Sequence, residues 1–218
     1  MKRQKTSEKT CYPVITIGRQ FGSGGRRIGR LVAELMGFSY YDTELLSEAA
    51  ARLGYAKEIF HAHDERKPTP LRSLLQGMYG LADNFHDVSI CGERMYKEQA
   101  QVIRDICSRG PCVIVGRTAD HILKGHPLLL SVFLHAPATY RAGRLVKFKD
   151  AETETVAKEM LKKQDRDREN YYNYYTGSKN WGKAFNYHLS IDSSLFNDEK
   201  VAEMITSAAS EIMRSHRQ

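Results

Sequence analysis

A short β-branched run, Val14 to Ile17 (VITI), follows the breaker Pro13 and leads straight into Gly18-Arg19-Gln20-Phe21-Gly22-Ser23-Gly24-Gly25-Arg26-Arg27. No other stretch constrains the chain as much. The run reads as a buried parallel strand. Beyond the glycines, Ile28, Leu31, Val32, Leu35 and Met36 recur at helical spacing until Gly37 stops them. Strand, glycine loop and helix in that order put a tight turn at the mouth of a helix, where free backbone N–H groups and the helix dipole attract phosphate.

The rest of the chain repeats the strand-helix alternation. Phe38 to Tyr41 reads as a second strand, followed by a helix from about Glu44 to Leu53. Residues 54–93 are polar and interrupted by Pro68 and Pro70, and read as a helical insertion. Met95, Gln99, Val102, Ile103, Ile106 and Cys107 mark a helix ending before Gly110-Pro111. Cys112 to Val115 is a third strand, trailed by a helix-like ADHIL. Leu128 to His135 is a fourth strand, Ala136-Pro137 a turn, and a basic helix starts near Thr139. Glu152 to Asn170 is a charged, largely surface helix leading into YYNYY (Tyr171 to Tyr175) and GSKNWGK, which reads as a mobile loop. Leu189 to Asp192 is a fifth strand, and Val201, Ile205, Ala208, Ala209 and Ile212 line one face of a last helix. Strands separated by helices predict βαβ units and a parallel α/β sheet of about five strands, covered on both faces.

Composition narrows the function. Of 218 residues, 33 are Lys or Arg and 26 Asp or Glu, a formal charge of +7. That excess fits either a nucleic-acid surface or arginines gathered round a polyanionic small ligand. No apolar run reaches the roughly 20 residues that span a bilayer, and the basic first ten residues lead into no apolar segment, so a cytoplasmic protein is expected. Cys11, Cys91, Cys107 and Cys112 form no CxxC pair and read as small buried hydrophobes. The eight histidines show no metal-ligand spacing, and His61 and His63 are expected at a surface.

The glycine loop fits no standard pattern fully. A GxGxxG dinucleotide fingerprint would need glycine where Arg27 stands. Aligned to GxxxxGK[ST] through Gly24, the loop has Arg19 at the first glycine, Gly25 at the lysine and Arg26 at the hydroxyl residue. Arg26 or Arg27 could replace the missing cation, because a guanidinium grips phosphate oxygens in pairs. A bland glycine-rich turn is the competing reading, though such a turn needs fewer glycines.

The stretches Ile15-Thr16-Ile17-Gly18-Arg19-Gln20-Phe21-Gly22-Ser23-Gly24-Gly25-Arg26, Tyr40-Tyr41-Asp42, Val113-Ile114-Val115-Gly116-Arg117-Thr118-Ala119-Asp120, Tyr174-Tyr175-Thr176-Gly177, Trp181-Gly182 and Asn186-Tyr187 together resemble the cytidylate-kinase-like family. That family is a divergent branch of the P-loop nucleoside monophosphate kinases, and the resemblance runs from about Val14 to Met213. It implies a P-loop NTPase-type domain over residues 13–214 behind a tail of residues 1–12. The core would comprise residues 13–53, 94–150 and 186–214, with an acceptor-binding insertion at 54–93 and an arginine-bearing lid at 151–185. The implied activity is transfer of the γ-phosphoryl of ATP, with Mg²⁺, to a nucleoside monophosphate, CMP by default. Nucleotides would be the partners; nucleic acid and membrane are not expected, and the sequence does not fix the oligomeric state.

By the resemblance, Arg19, Gln20, Phe21, Gly22, Ser23, Gly24, Gly25, Arg26 and Arg27 would cradle the donor phosphates, with Arg26 also catalytic. Asp42 matches the acceptor-contacting Asp that ends strand two, although Glu44-Leu45 stand where cytidylate kinases carry Gly-Ala; N-capping of the next helix is an equal reading. Arg117 would hold the acceptor phosphate, with Thr118 where those kinases have an Asp. Val115 occupies the place of a metal-binding carboxylate, and Asp120 is the candidate substitute. Arg141 and Arg144, at i, i+3 spacing, are candidates for an additional phosphate clamp. In Asp165-Arg166-Asp167-Arg168, the arginines Arg166 and Arg168 would close on the transferring group; an ion-paired solvated face is the alternative. YYNYY is read as packing of the lid connection rather than as a base-stacking surface. The missing loop lysine and hydroxyl leave a non-catalytic nucleotide sensor, or a kinase of another small phosphorylated acceptor, as competing functions.

Overall fold

The computed structural model describes residues 11–55 and 85–216. Within them, five parallel strands, β1 (Val14–Arg19), β2 (Ser39–Tyr41), β3 (Cys112–Val115), β4 (Leu129–His135) and β5 (Leu189–Asp192), form one sheet in the order β2-β3-β1-β4-β5. This is the α/β architecture expected from the alternation of apolar runs and helical stripes. VITI lacks the inside-outside alternation of a half-exposed strand because β1 lies between β3 and β4 with both faces covered.

Seven α-helices complete the described fold: α1 (Gly25–Met36), α2 (Thr43–Arg52), α3 (Phe85–Cys107), α4 (Ala119–Ile122), α5 (Ala138–Lys147), α6 (Glu154–Thr176) and α7 (Asp198–Ser215). The stripes of α1 and α7, including Ile28, Val32, Val201 and Ile205, meet Ile15, Ile17, Val132 and Leu134 on one face of the sheet. Leu46, Ala50, Val102 and Ile106 cover the other face against Val14, Cys112 and Ile114. A smaller cluster, Ala142, Leu145, Ala151, Ala157 and Leu161, joins α5 to α6 and takes in Phe21 of the glycine loop. Asp42, Thr153 and Asn197 each accept a backbone N–H at the start of α2, α6 and α7, which satisfies a donor the helix itself cannot.

One expectation needs correction. YYNYY is not part of a loop: α6 runs unbroken to Thr176, where left-handed Gly177 (φ 63°) stops it. The preceding part of α6 is largely a surface helix, as expected, with Ala157 and Leu161 buried, while Tyr171 and Tyr172 beyond it are buried too. The helix continues because Tyr171 and Tyr175 share a face and pack on α3, with Tyr96 stacked on Tyr175 at a 4.1 Å centroid separation. Of the insertion read at residues 54–93, residues 56–84, with His61 and His63, lie outside the described residues, as does the Cys91 side chain. Cys107 and Cys112 are buried, as expected of small hydrophobes, whereas Cys11 is only half-buried. No described helix is long and apolar enough to cross a membrane.

Candidate active site

The carboxyl ends of the strands gather the chemistry, as in other open parallel α/β sheets. After β1 the chain turns through Gly22 (φ 77°) and Gly24 (φ 89°), a backbone that side-chain-bearing residues avoid. Cβ atoms there would also be crowded: at Gly22 one would lie 3.1 Å from the Arg141 backbone oxygen, and at Gly24 2.8 Å from Arg144 Nη2. The loop is braced from below. Buried Ser23 donates its hydroxyl to Gln20 O at 2.8 Å, Ser193 Oγ donates to Ser23 O at 2.8 Å, and Gln20 Oε1 accepts Ala136 N at 3.2 Å. No side chain caps α1 at Gly24, and its first turn holds no acidic residue. Its amino end therefore presents backbone N–H groups and positive dipole to an anion.

Above the loop lies a cavity of about 500 Å³, within the size range of small-molecule sites. Gly22, Gly24 and Gly25 line it, together with Arg19, Arg26, Arg27, Arg144 and Arg168 and the apolar Phe21, Leu145, Phe148 and Met160. Asp150 is the one acidic side chain in that lining, against five arginines.

The arginines divide into different roles. Arg26 is exposed and lines the cavity. Arg27 also lines it but pairs with Asp198 at 3.1 Å and Glu199 at 3.1 Å. Arg144 is held by both oxygens of buried Asp198, at 2.9 and 3.0 Å. Arg141 corrects the expectation of a clamp: it does not line the cavity. Buried, it donates to Ala136 O at 2.8 Å, Phe21 O at 2.9 Å and Asp165 Oδ2 at 2.6 Å. The other Asp165 oxygen accepts Phe21 N at 2.6 Å, so Arg141 and Asp165 latch α6 to the glycine loop. Arg168 lines the cavity and lies 5.2 Å from the Phe21 ring centroid.

At the end of β3, Gly116, Arg117 and Thr118 are all left-handed, with φ of 81°, 60° and 50°. Two non-glycine residues in that region store strain of the kind found at functional sites. Arg117 is 1% exposed and its Nε approaches Thr43 Oγ1 at 3.4 Å. Thr118 donates to Arg117 O at 2.7 Å and bonds Tyr96 OH at 2.9 Å. A recess of about 20 Å³ opens here between Gly18, Arg19, Gly116, Arg117, Asp120 and Arg168, walled by Tyr171, Tyr172, Trp181 and Tyr187. Arg19 and Arg168 line both this recess and the large cavity, whereas Arg166 lines neither. Asp42 does not reach the recess: that side chain caps α2 through Leu45 N at 3.2 Å and lies 3.6 Å from Arg30.

Burial raises the Asp120 carboxyl above the usual carboxylate range, although the Tyr172 hydroxyl, donating to Oδ2 at 2.8 Å, works against this. Burial, then the charge of Asp120, raises the Tyr172 and Tyr187 hydroxyls.

The residues do not provide a ready cradle for Mg²⁺. Asp198 and Asp165 are taken by arginines, Asp42 by a helix end and Asp120 by Tyr172, which leaves exposed Asp150 as a single carboxylate lining the donor cavity. Among the described residues no three His, Cys, Asp or Glu side chains converge as ligands. Asp165, Asp198 and Ser193 are not singled out by the sequence. Only the acids within DRDR and the capping run Asn197-Asp198 hint at the first two.

Comparison with known proteins decides the family. Residues 14–195 match the model of the cytidylate kinase-like family. The chain belongs to that family. Among solved structures it is similar to an uncharacterized protein from Eubacterium ventriosum ATCC 27560, at 26% identity and TM-score 0.68, over 91% of this chain and 98% of that one. A gluconokinase from Sinorhizobium meliloti 1021 (15% identity, TM-score 0.52, 94% and 95% covered) shares the fold, as does TT1252 from Thermus thermophilus (14%, 0.50, 91% and 98%). No curated protein matches the sequence significantly. Membership in the cytidylate kinase-like family and the P-loop kinase fold together support a nucleotide or small-molecule kinase.

Proposed function

We propose that this protein is a phosphotransferase that takes the γ-phosphoryl of ATP and passes it to a small acceptor held at Arg117. One observation carries the reading: Arg19 and Arg168 line both the large cavity and the recess at Arg117. A phosphoryl group moving from donor to acceptor would pass between them. The backbone of Gly22 to Gly25 and the amino end of α1 would hold the donor phosphates, and Arg26 and Arg168 would offset charge that spreads over the equatorial oxygens. Mg²⁺, which commonly binds through substrate phosphates and water, would arrive with the nucleotide.

The family resemblance gives CMP as the default acceptor. An assay coupled to ADP, run over CMP, UMP, AMP and small phosphorylated acceptors, tests the kinase reading. ADP released with any of them supports it. ATP binding without ADP from any acceptor, water included, would point instead to a nucleotide sensor.

A further inference from the structure

Two helices give the donor cavity a direction. Along α6, Met160, Gln164 and Arg168 line it at four-residue intervals, about 6 Å of helix each. Arg168 marks the phosphate end, because it also lines the recess at Arg117. Met160 therefore lies about 12 Å further along the helix, on the scale of the reach from a terminal phosphate to a base. Helix α5 runs the other way: Arg141 meets Asp165 at one end, and Leu145 packs with Met160 toward the other.

That far end suits a flat ring with a polar edge. Phe148 lines it 45% exposed, with the guanidiniums of Arg144 and Arg27 at 5.3 and 5.9 Å from its centroid, and Leu145 and Met160 extend the apolar wall. Beyond α5 the chain turns through left-handed Lys149 (φ 62°), and the N–H groups of Asp150 and Ala151 both donate to Leu145 O, at 2.8 and 3.2 Å. This turn fixes Asp150 on the cavity wall. Among the described residues its carboxylate has no hydrogen-bond or ion-pair partner, and the neighbouring Arg27 and Arg144 are turned to Asp198 instead. An unpaired carboxylate repels a triphosphate but accepts a hydrogen bond from an amine.

We propose that Asp150 selects the donor base: it accepts a hydrogen bond from the amine at C6 of adenine while the ring stacks on Phe148. This rests on the kinase reading above and names the residues that choose its donor. Adenine offers a donor at that position, whereas guanine offers the acceptor O6, and hypoxanthine carries the same keto oxygen. A keto oxygen facing Asp150 leaves two acceptors opposed and unpaired, so purine triphosphates of that kind bind less well. Gln164, between the two ends, also has no side-chain partner among the described residues and is placed for the ribose hydroxyls.

Calorimetry on the full chain with Mg²⁺ tests this, with ATP, inosine triphosphate and inorganic tripolyphosphate as probes. ATP and inosine triphosphate carry the same charge, so their affinity ratio is insensitive to the general field that a charge-removing variant alters. Wild type should bind ATP at least about tenfold more tightly than inosine triphosphate. Asp150→Asn, whose amide can donate to O6, should bring the two within about twofold of each other. Phe148→Ala should weaken ATP about tenfold and leave tripolyphosphate within about threefold of wild type. Equal wild-type affinity for the two nucleotides, or a Phe148→Ala loss shared by tripolyphosphate, would overturn the assignment. So would an unchanged ratio in Asp150→Asn, and if Mg²⁺ dependence were lost with it Asp150 would be a metal ligand instead. Should Asp150→Asn fail to fold, wild type with purine riboside triphosphate, which lacks the amine, decides: a loss of about tenfold against ATP supports the contact, and equal affinity rejects it. Failure of both ATP and tripolyphosphate to bind would instead overturn the kinase reading.

Discussion

The spacing of Arg141 and Arg144 predicts a phosphate clamp, yet the structure makes Arg141 a strut; replacing it separates the two roles. Arg141→Ala removes the donor to Ala136 O, to Phe21 O and to Asp165 Oδ2 in one step. Breaking a buried pair by deleting one partner costs about 3–5 kcal/mol. The side chains of Arg141 and Asp165 are 8% and 19% exposed, so water can reach the orphaned carboxylate and the lower end, about 3 kcal/mol, applies. For a chain of this size each kcal/mol lowers Tm by about 2–4 °C, so a fall of about 6–12 °C is expected in thermal unfolding. The double variant Arg141→Met/Asp165→Asn should recover part of the loss, because no lone charge remains and the Asn carbonyl can still accept Phe21 N–H. ATP affinity should fall only as far as the loosened loop requires. A stability loss below about 1 kcal/mol together with a tenfold or greater loss of ATP binding would refute the strut and restore the clamp.

Gly24→Ala should cost about 1–2 kcal/mol through its positive φ alone. Its Cβ would also crowd Arg144 Nη2 at 2.8 Å, so ATP binding by calorimetry should weaken at least tenfold. Cys107 and Cys112, 3.7 Å apart and buried, should resist iodoacetamide in the folded protein and react after denaturation, as peptide mass spectrometry would read; their mutual hydrogen bond and burial push the Cys112 thiol upward. For Asp120, a raised carboxyl means that the folded state holds its proton more tightly than the unfolded chain. Its favourable contribution is therefore present at low pH and lost as pH rises from the ordinary carboxylate value through the raised one. Asp120→Asn should consequently gain in urea stability relative to wild type at neutral pH and show no such gain at acid pH.

The legibility of the chain tracks the range of its interactions. VITI, CVIV and the stripe from Ile28 to Met36 are readable because burial on a sheet or helix face is written locally, in period and branching. The glycine loop is readable for the same reason: its φ values demand glycine wherever the rest of the chain lies. The fate of the arginines is not. Arg141 meets Asp165 across 24 positions and Arg144 meets Asp198 across 54, and nothing local distinguishes a paired guanidinium from one waiting for phosphate. YYNYY reads as a loop because strand-prone aromatics are weak helix formers, and the tertiary stacking on Tyr96 that overrides this is invisible in one dimension.

The central claim is that the glycine loop after β1 holds the donor polyphosphate. A crystal structure with a non-hydrolysable ATP analogue tests it most directly. The phosphates should be seated on the backbone N–H groups of Gly22 to Arg26, with the terminal phosphate between Arg19 and Arg168 and facing Arg117. An analogue bound elsewhere, or that cavity empty at millimolar nucleotide, would contradict it.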